Sequence, residues 1–589
     1  MCHHRSGTNI AMQGQHPLIK KLFKFIYAER DANLQQLLQT WQRPLHEKLE
    51  KGLTQGFTHL ERADKATCLW AHLDESESRF REGDMLRLHL GDPSTGLLCA
   101  RMTFEREEEG RWLLSEKLAN TVWDNYQGGP CYADMDALDL TPRYEKTLED
   151  IADSINTDNL IIPLLGDAPA ITFNDADLDY AERFAIQNKC NEHQARAVAM
   201  AFAAEQIACI QGPPGTGKTR ALALIAQLLV ERQERVFVTS HTHMAINNAL
   251  AKIAERNIPT VKIGGRPEDV SKTVDWAKTP ADWENLPADG SGYVIGATPF
   301  ATCSQLEHFK FDTVIFDEAS QITLPLALMA MRKGRRFIFI GDQKQLPPVL
   351  LSQSVLSGES MSIFGRLTSQ TADHTVMLEE TYRMNQWLTE WPGQNYYEGK
   401  LRAAGPNKDR RFNYVEVESP MDRVFDPEAS AIFIPTTDRT AKTRNFRDAQ
   451  HVLELCKVAH AMGVAPADIG IVTPYRAQGR AIRTLLTRHF GRELAQTIVA
   501  DTVERMQGQE RELIIVSLAS GDEAFLGAVA EFFFQPERLN VSITRAMTKL
   551  IIIGPELAQG IECSNNVTQL WADEYLSLIS RCRKVVLPL

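Results

Sequence analysis

Apolar residues return every three or four positions early in the chain: Leu18, Leu22, Phe25 and Ile26, then Leu34, Leu37, Leu38 and Trp41. That spacing predicts helix over 18–60, broken at Pro44, which has no backbone N–H to donate. From about 81 to 135 the rhythm changes. DMLRLHL and LLCARMTF alternate apolar with polar positions, and turns rich in Gly, Pro and Asp separate them. The alternation predicts a small antiparallel β unit such as a barrel, with EREEEGRW as a charged hairpin tip. Residues 142–180 read as helix and loop. Beyond about 190, short apolar strands alternate with helical stretches: IACIQG, RVFVTS, TVIFDEAS and RFIFIGD, then AIFIPT, IGIVTPY, ELIIVSL and KLIIIG. Continuous apolar strands between helices imply parallel sheets covered on both faces. Two such series predict two α/β domains that split near 365–378. The resulting division is 1–60 helical, 61–180 an accessory barrel with a stalk-like region, 181–370 and 371–589.

A length of 589 residues allows roughly four domains. Hydrophobic residues make up 43% and charged residues 24%, ordinary for a globular protein. Lys and Arg number 64 against 76 Asp and Glu, a net charge of −12. That excludes a simple polycation that coats nucleic acid, but not a local basic channel. The ten cysteines are scattered, with no CxxC pair and no zinc-binding quartet, so reduced thiols in a cell interior are expected. No apolar run approaches the roughly 18–20 residues that span a bilayer. The start, MCHHRSGTNIAMQGQ, lacks an apolar signal core. Met12 is an alternative initiator there, and His3–His4 is too short for a metal site. A soluble protein, cytoplasmic or otherwise intracellular, is expected.

The strongest chemical signal is Gly212-Pro213-Pro214-Gly215-Thr216-Gly217-Lys218-Thr219, set between the strand IACIQ and the apolar helix ALALIAQLLV. Strand, glycine loop and helix in that order form a phosphate-binding P-loop. Its glycines let backbone N–H groups converge on phosphate oxygens, and the helix N-terminus adds its dipole. Lys218 is expected on the β/γ-phosphates and Thr219 on Mg²⁺. Asp317 and Glu318 end the strand TVIFDEAS. Asp317 is the expected Mg²⁺ partner and Glu318 the candidate base for the attacking water, although the pair also fits an N-cap on the next helix. Gln194 follows Asn191, a fitting N-cap, and its amide suits an adenine edge; a solvated helix glutamine is the bland alternative.

These pieces, in this order, resemble superfamily 1 helicases, in particular the B branch that includes the up-frameshift, senataxin and immunoglobulin-mu-binding helicases. The resemblance runs from about 187 to 556. Gln194 matches the family's adenine-reading glutamine. Gly341-Asp342-Gln343-Lys344-Gln345-Leu346-Pro347-Pro348 matches its third motif, where Gln345 would sense the γ-phosphate. Glu380-Thr381-Tyr382-Arg383-Met384 matches the entry to the second motor domain. There the resemblance puts Tyr382 on adenine and Arg383 on the γ-phosphate. TPYRAQ, from Thr473 to Gln478, matches a further signature. Gln507-Gly508-Gln509-Glu510 fits the motif whose glutamate contacts ribose or sensing groups. Arg538 to Ala546 matches the final motif, with Arg545 as arginine finger. Singly, Arg383 and Arg545 also fit surface ion pairs, TPYRAQ a helix cap and GDQKQLPP a proline-stopped loop. The sequence departs from the family at His241, where Asn is usual, and at Asn247, where Asp is usual. Only a short segment separates Gly264 from Tyr293, where relatives often insert a subdomain. No Cys/His regulatory module and no nuclease signature is seen.

The resemblance implies two tandem RecA-like domains with a helical stalk and a barrel. It implies an ATP hydrolase using ATP and Mg²⁺, a monomeric motor moving 5′ to 3′ along single-stranded DNA or RNA, with protein partners met through the N-terminal region. Strand contacts carried over are Ser240, Thr242, Asn247, Thr298 and Pro299 in the first domain. In the second they are Pro474, Tyr475, Arg476 and Thr502. Tyr475 fits a core tyrosine with a satisfied hydroxyl equally well. Two other classes compete: a nucleotide-gated clamp that hydrolyses ATP without unwinding, and a protein-remodelling ring ATPase. Both arginines lie in cis, which disfavours the ring.

Overall fold

A computed structural model describes residues 16–76, 78, 80, 82–95, 98–153, 161, 165–166, 172–352, 361–370, 374–413, 415–557, 560–563 and 565–588. Met12, His3–His4 and most of 154–171 lie outside the described residues. The chain divides into two compact units, Met1–Asp153 with Val349–Glu359, and Ser154–Pro348 with Ser360–Leu589.

In the first unit, helix Pro17–Trp41 buries Ile19, Leu22, Phe23, Phe25 and Ile26. A short helix, Leu45–Glu50, follows Pro44. The helical reading of 18–60 fails beyond Glu50. Strand β1 (Thr54–Arg62) starts there and joins β2 (Cys68–Leu73), β3 (Met85–His89), β4 (Ala100–Glu108), β5 (Arg111–Ser115) and β6 (Cys131–Met135). They close a barrel in the order β1-β2-β5-β4-β3-β6. The barrel thus begins well before residue 81, the expected start. Gln55 and Gly56 are buried on β1, so that strand lacks the apolar alternation that marks β3 and β4. Phe57, Leu69, Leu86, Met102, Phe104 and Leu114 fill the interior. The predicted hairpin tip is Glu109-Gly110, both with positive φ. Lys48 anchors its helix to the barrel through a buried ion pair with Asp134 at 2.5 Å, and Asp134 also accepts from Thr54.

The second unit holds two parallel sheets. The first comprises β7 (Ile207–Gln211), β8 (Arg235–Thr239), β9 (Thr260–Ile263), β10 (Asp275–Ala277), β11 (Tyr293–Gly296), β12 (Thr313–Phe316), β13 (Arg336–Gly341) and β14 (Thr375–Met377). Their order is β10-β9-β11-β8-β12-β13-β7-β14, with every pair parallel. Because β14 pairs with β7, the first sheet extends past residue 370, where the sequence division placed its end. A two-stranded ladder of β15 (Glu380–Thr381) and β16 (Arg402–Ala403) follows. The second sheet contains β17 (Ala431–Pro435), β18 (Ile469–Thr473), β19 (Val499–Thr502), β20 (Arg511–Ser517), β21 (Ala546–Gly554) and β22 (Arg583–Lys584), ordered β19-β18-β20-β21-β17-β22. Helices Glu192–Ala203 and Lys218–Glu231 bury Ala, Val, Leu and Ile against the first sheet. The central strands are wholly buried, as parallel strands under helices must be.

Candidate active site

The loop after β7 turns into helix Lys218–Glu231 through Gly217, whose φ of 86° lies in the left-handed region. Gly215, at φ 73°, allows a closer approach. A Cβ there would sit 2.4 Å from Arg383 Cβ and 2.6 Å from Thr381 Oγ1. The loop is therefore pressed against the segment after β15. Tyr382 N donates to Gly215 O at 2.9 Å, and Thr381 Oγ1 donates to Pro214 O at 2.8 Å. Lys218 folds back, with Nζ donating to Gly212 O at 2.6 Å. Residues 213–219 line a cavity of about 340 Å³, of a size that suits a small ligand.

The opposite wall comes from the second sheet. Glu510 precedes β20 and Arg545 precedes β21, and both line the same cavity together with Arg383, Tyr382, Gly508, Glu318 and Gln345. Arg383 Nε donates to Glu510 Oε2 at 2.6 Å, and Nη1 donates to Thr544 O at 3.0 Å. Arg383 is thus ion-paired, but inside the cleft rather than on the surface. Arg545 is only 2% exposed. It donates to Val541 O, Gln509 O and Thr544 Oγ1. Burial, and then the neighbouring Arg383, push its pKa down to about 9. An arginine so destabilised gains from an arriving polyanion.

Asp317 and Glu318 follow β12. Glu318 adopts the left-handed region (φ 49°) at the head of a one-turn helix, Ala319–Gln321, without capping it. The N-cap alternative therefore fails. Burial, then the adjoining Glu318, raise the Asp317 pKa to about 7, against the opposing pull of Lys218. Glu318 Oε2 is buried with no hydrogen-bond partner among the described residues. Glu318, with its orphaned oxygen, lines the cavity together with Thr219, and Asp317 adjoins it in the chain; hard carboxylate and hydroxyl oxygens of this kind fit Mg²⁺.

Two matching family models, each described as an AAA domain, cover residues 189–404 and 359–556. Together they span the first parallel sheet and every strand of the second except β22. The human DNA replication ATP-dependent helicase/nuclease DNA2 is 30% identical over 400 residues, covering 62% of this chain and 37% of its own length. DNA polymerase alpha-associated DNA helicase A of Schizosaccharomyces pombe is 28% identical over 456 residues, covering 66% of each. These matches bear out the resemblance to superfamily 1 helicases. The chain spans about a third of the length of the DNA2 relatives it matches. Among solved structures, an arterivirus nonstructural protein 10 (helicase) gives a TM-score of 0.37 at 13% identity, over 87% of this chain and 80% of that one.

In this chain the remaining predicted residues are placed unevenly. Gln194 is buried beneath the loop. Its Nε2 donates to Thr216 O at 2.9 Å, and its Oε1 accepts from Asn191 N in a capping box. It braces the P-loop and does not line the cavity. Tyr382 is 37% exposed, and its hydroxyl accepts from Asn191 Nδ2 and donates to Glu380. Ser240 is buried, Thr242 caps helix His243–Ala254, and Asn247 donates to Asp269 O. Thr298 and Pro474 are half-buried and Thr502 is buried, while Arg476 is exposed. Tyr475 is half-buried among Phe525, Phe532 and Phe533, and Ser520 Oγ lies 3.4 Å from its hydroxyl, an arrangement that suits a packing role.

The sequence reading missed a buried bridge across the cleft. Tyr397 OH donates to Asp342 Oδ2 at 2.7 Å and accepts from Asn540 Nδ2 at 2.9 Å. Gln345 Nε2 donates to the same carboxylate at 2.9 Å. Asn540 also donates to Lys344 O at 2.8 Å. The loop that carries Gln345 is thus tied to helix Pro536–Ile543, which leads to Arg545. Tyr397 lies in YYEGKL, whose pattern signals no chemistry.

Proposed function

We propose that the chain is an ATP-driven helicase or translocase that moves 5′ to 3′ along single-stranded nucleic acid. The carrying observation is the cavity lined by Lys218 from one sheet and by Arg383 and Arg545 from the flank of the other. In this reading Lys218 holds the β/γ-phosphates and Gln345 senses the γ-phosphate. Glu318 positions the attacking water, and Arg383 and Arg545 neutralise charge that develops on transfer. Tyr382 stacks on adenine, Glu510 orients Arg383, and Gln194 supports the loop under the base. Thr219 and Asp317 would hold Mg²⁺, which supplies charge neutralisation at the β- and γ-oxygens.

Triphosphate draws both arginines toward the P-loop, and hydrolysis removes that attraction, so the two sheets close and relax with each turnover. We assign the two motor domains to 181–370, extended to β14, and to the remainder up to 589. The barrel and stalk are assigned to the region before 181. The DNA helicases among the relatives support DNA as the track, and a monomer suffices because one chain supplies both walls. Strand contacts are assigned to Ser240, Thr242, Asn247, Thr298, Pro474, Tyr475 and Thr502.

The test is ATP turnover with and without single-stranded DNA or RNA oligonucleotides, then displacement of duplexes carrying a 5′ or a 3′ tail. Strand-stimulated turnover and displacement from the 5′ tail are expected, and Lys218→Ala is expected to abolish both with unchanged melting. Wild-type turnover in that variant refutes the phosphate site. Stimulation without displacement identifies a nucleotide-gated clamp instead.

A further inference from the structure

The segment from the end of β17 into the first turn of helix Phe446–Ala461 concentrates positive charge on a chain whose net charge is −12. Arg439, Lys442, Arg444 and Arg447 fall within nine residues, and all four are exposed. Phe446 sits among them at 60% exposure, with the Arg444 guanidinium 4.6 Å from its ring centroid. A large apolar ring held in water beside a cation is a poor use of surface unless something covers it. The acids nearby are engaged. Asp438 accepts from the N–H and hydroxyl of Thr440, and Asp522 accepts from Phe525 N and lies 3.9 Å from Lys442 Nζ.

The loop is also held in place. Gly521 N donates to Ala441 O at 2.8 Å, and Ser520 Oγ donates to Lys442 O. Asn445 is buried, and its N–H donates to Gln478 Oε1 at 2.8 Å while Gln478 Nε2 returns a bond to Asn445 O at 3.1 Å. Gln478 belongs to TPYRAQ, so the cations stand beside Tyr475 and Arg476. Fixed cations around an exposed ring match the repeat of a single strand, in which phosphates and π-faces alternate.

We propose that this loop grips single-stranded nucleic acid, with Arg439, Lys442, Arg444 and Arg447 on successive phosphates and Phe446 under a base. The proposal rests on the nucleic-acid reading above and extends it to residues outside its motifs. It makes the grip largely electrostatic and independent of sequence.

The experiment measures the affinity of the full chain for fluorescent oligo-dT, and for an abasic strand of equal length, from 50 to 300 mM salt. In the Arg439→Ala/Arg444→Ala/Arg447→Ala variant the slope of log affinity against log salt is expected to shrink by about 0.7 per lost phosphate contact. Phe446→Ala is expected to weaken oligo-dT binding about fivefold or more, to leave abasic binding unchanged, and to be rescued by Phe446→Trp. Melting curves verify folding, and Arg444→Gln alone replaces the triple variant if that variant melts early. Equal slopes and affinities in variants and wild type overturn the loop assignment alone. A wild-type chain that binds neither strand overturns the nucleic-acid reading and this proposal together. Loop variants that lose binding to an acidic protein partner but keep strand affinity also overturn it.

Discussion

Asp448 illustrates what a single buried residue does to stability. It lies in the first turn of helix Phe446–Ala461, fully buried, with Oδ2 accepting from Thr436 and Oδ1 lacking a partner among the described residues. Burial raises its pKa from 3.8 to about 7. A raised folded-state pKa means the folded chain binds the proton more tightly than the unfolded chain. The resulting stability is fully present below pH 3.8 and is lost as pH climbs through 7. Asp448→Asn, which carries no charge at any pH, is expected to gain on wild type by up to about 1.4 kcal/mol per pH unit between pH 4 and 7, with little change above. Denaturant unfolding at several pH values checks this, and parallel profiles for the two proteins contradict it. An acid at that spacing reads from sequence as a solvated first-turn carboxylate, so its burial was not legible. The place of Lys218 on the cavity wall, by contrast, was legible because glycine spacing, strand and helix together define the loop that carries it. The place of Arg545 on the same cavity was legible only through family resemblance, since a lone arginine carries no local signal.

Elements were legible in proportion to length and apolar continuity. Strands such as β13 and β21, unbroken runs of Ile, Phe and Leu, stand out from their flanks. The four-residue strands β9, β11 and β19 do not, and β1 hides behind Gln55, Gly56 and His59. The bridge between elements was not legible at all, because Tyr397, Asp342 and Asn540 meet only in three dimensions. Tyr397 is a positioning residue in this account: its hydroxyl joins the Gln345 loop to the helix that leads to Arg545. Tyr397→Phe keeps the ring and removes the bond. The expected result is a kcat lowered by about tenfold, as for the loss of one buried hydrogen bond of roughly 1.5 kcal/mol, with KM for ATP unchanged. Steady-state kinetics decide: an unchanged kcat, or a rise in KM alone, removes the coupling role.

At the scale of the whole molecule, an acidic chain presents one basic, aromatic loop, and two parallel sheets face each other across one cavity. The first sheet offers the P-loop at the carboxyl ends of its strands. The second offers Glu510 and Arg545 from the residues that lead into β20 and β21. A single chain therefore lines the cavity from both sides, and in the proposed function it carries both halves of a phosphate cage that a ring ATPase divides between neighbours. Mixing two inactive variants separates these designs. Lys218→Ala lacks one wall and Arg545→Ala lacks the other, and each alone is expected to lose turnover, the arginine variant by about 10³-fold or more. Arg545→Ala is expected to retain ATP binding. Combined in equal amounts with single-stranded DNA present, the two are predicted to show no more ATP turnover than the sum of each alone. Recovery of a substantial fraction of wild-type turnover in the mixture would mean that the cage is completed between chains, and the account would be wrong.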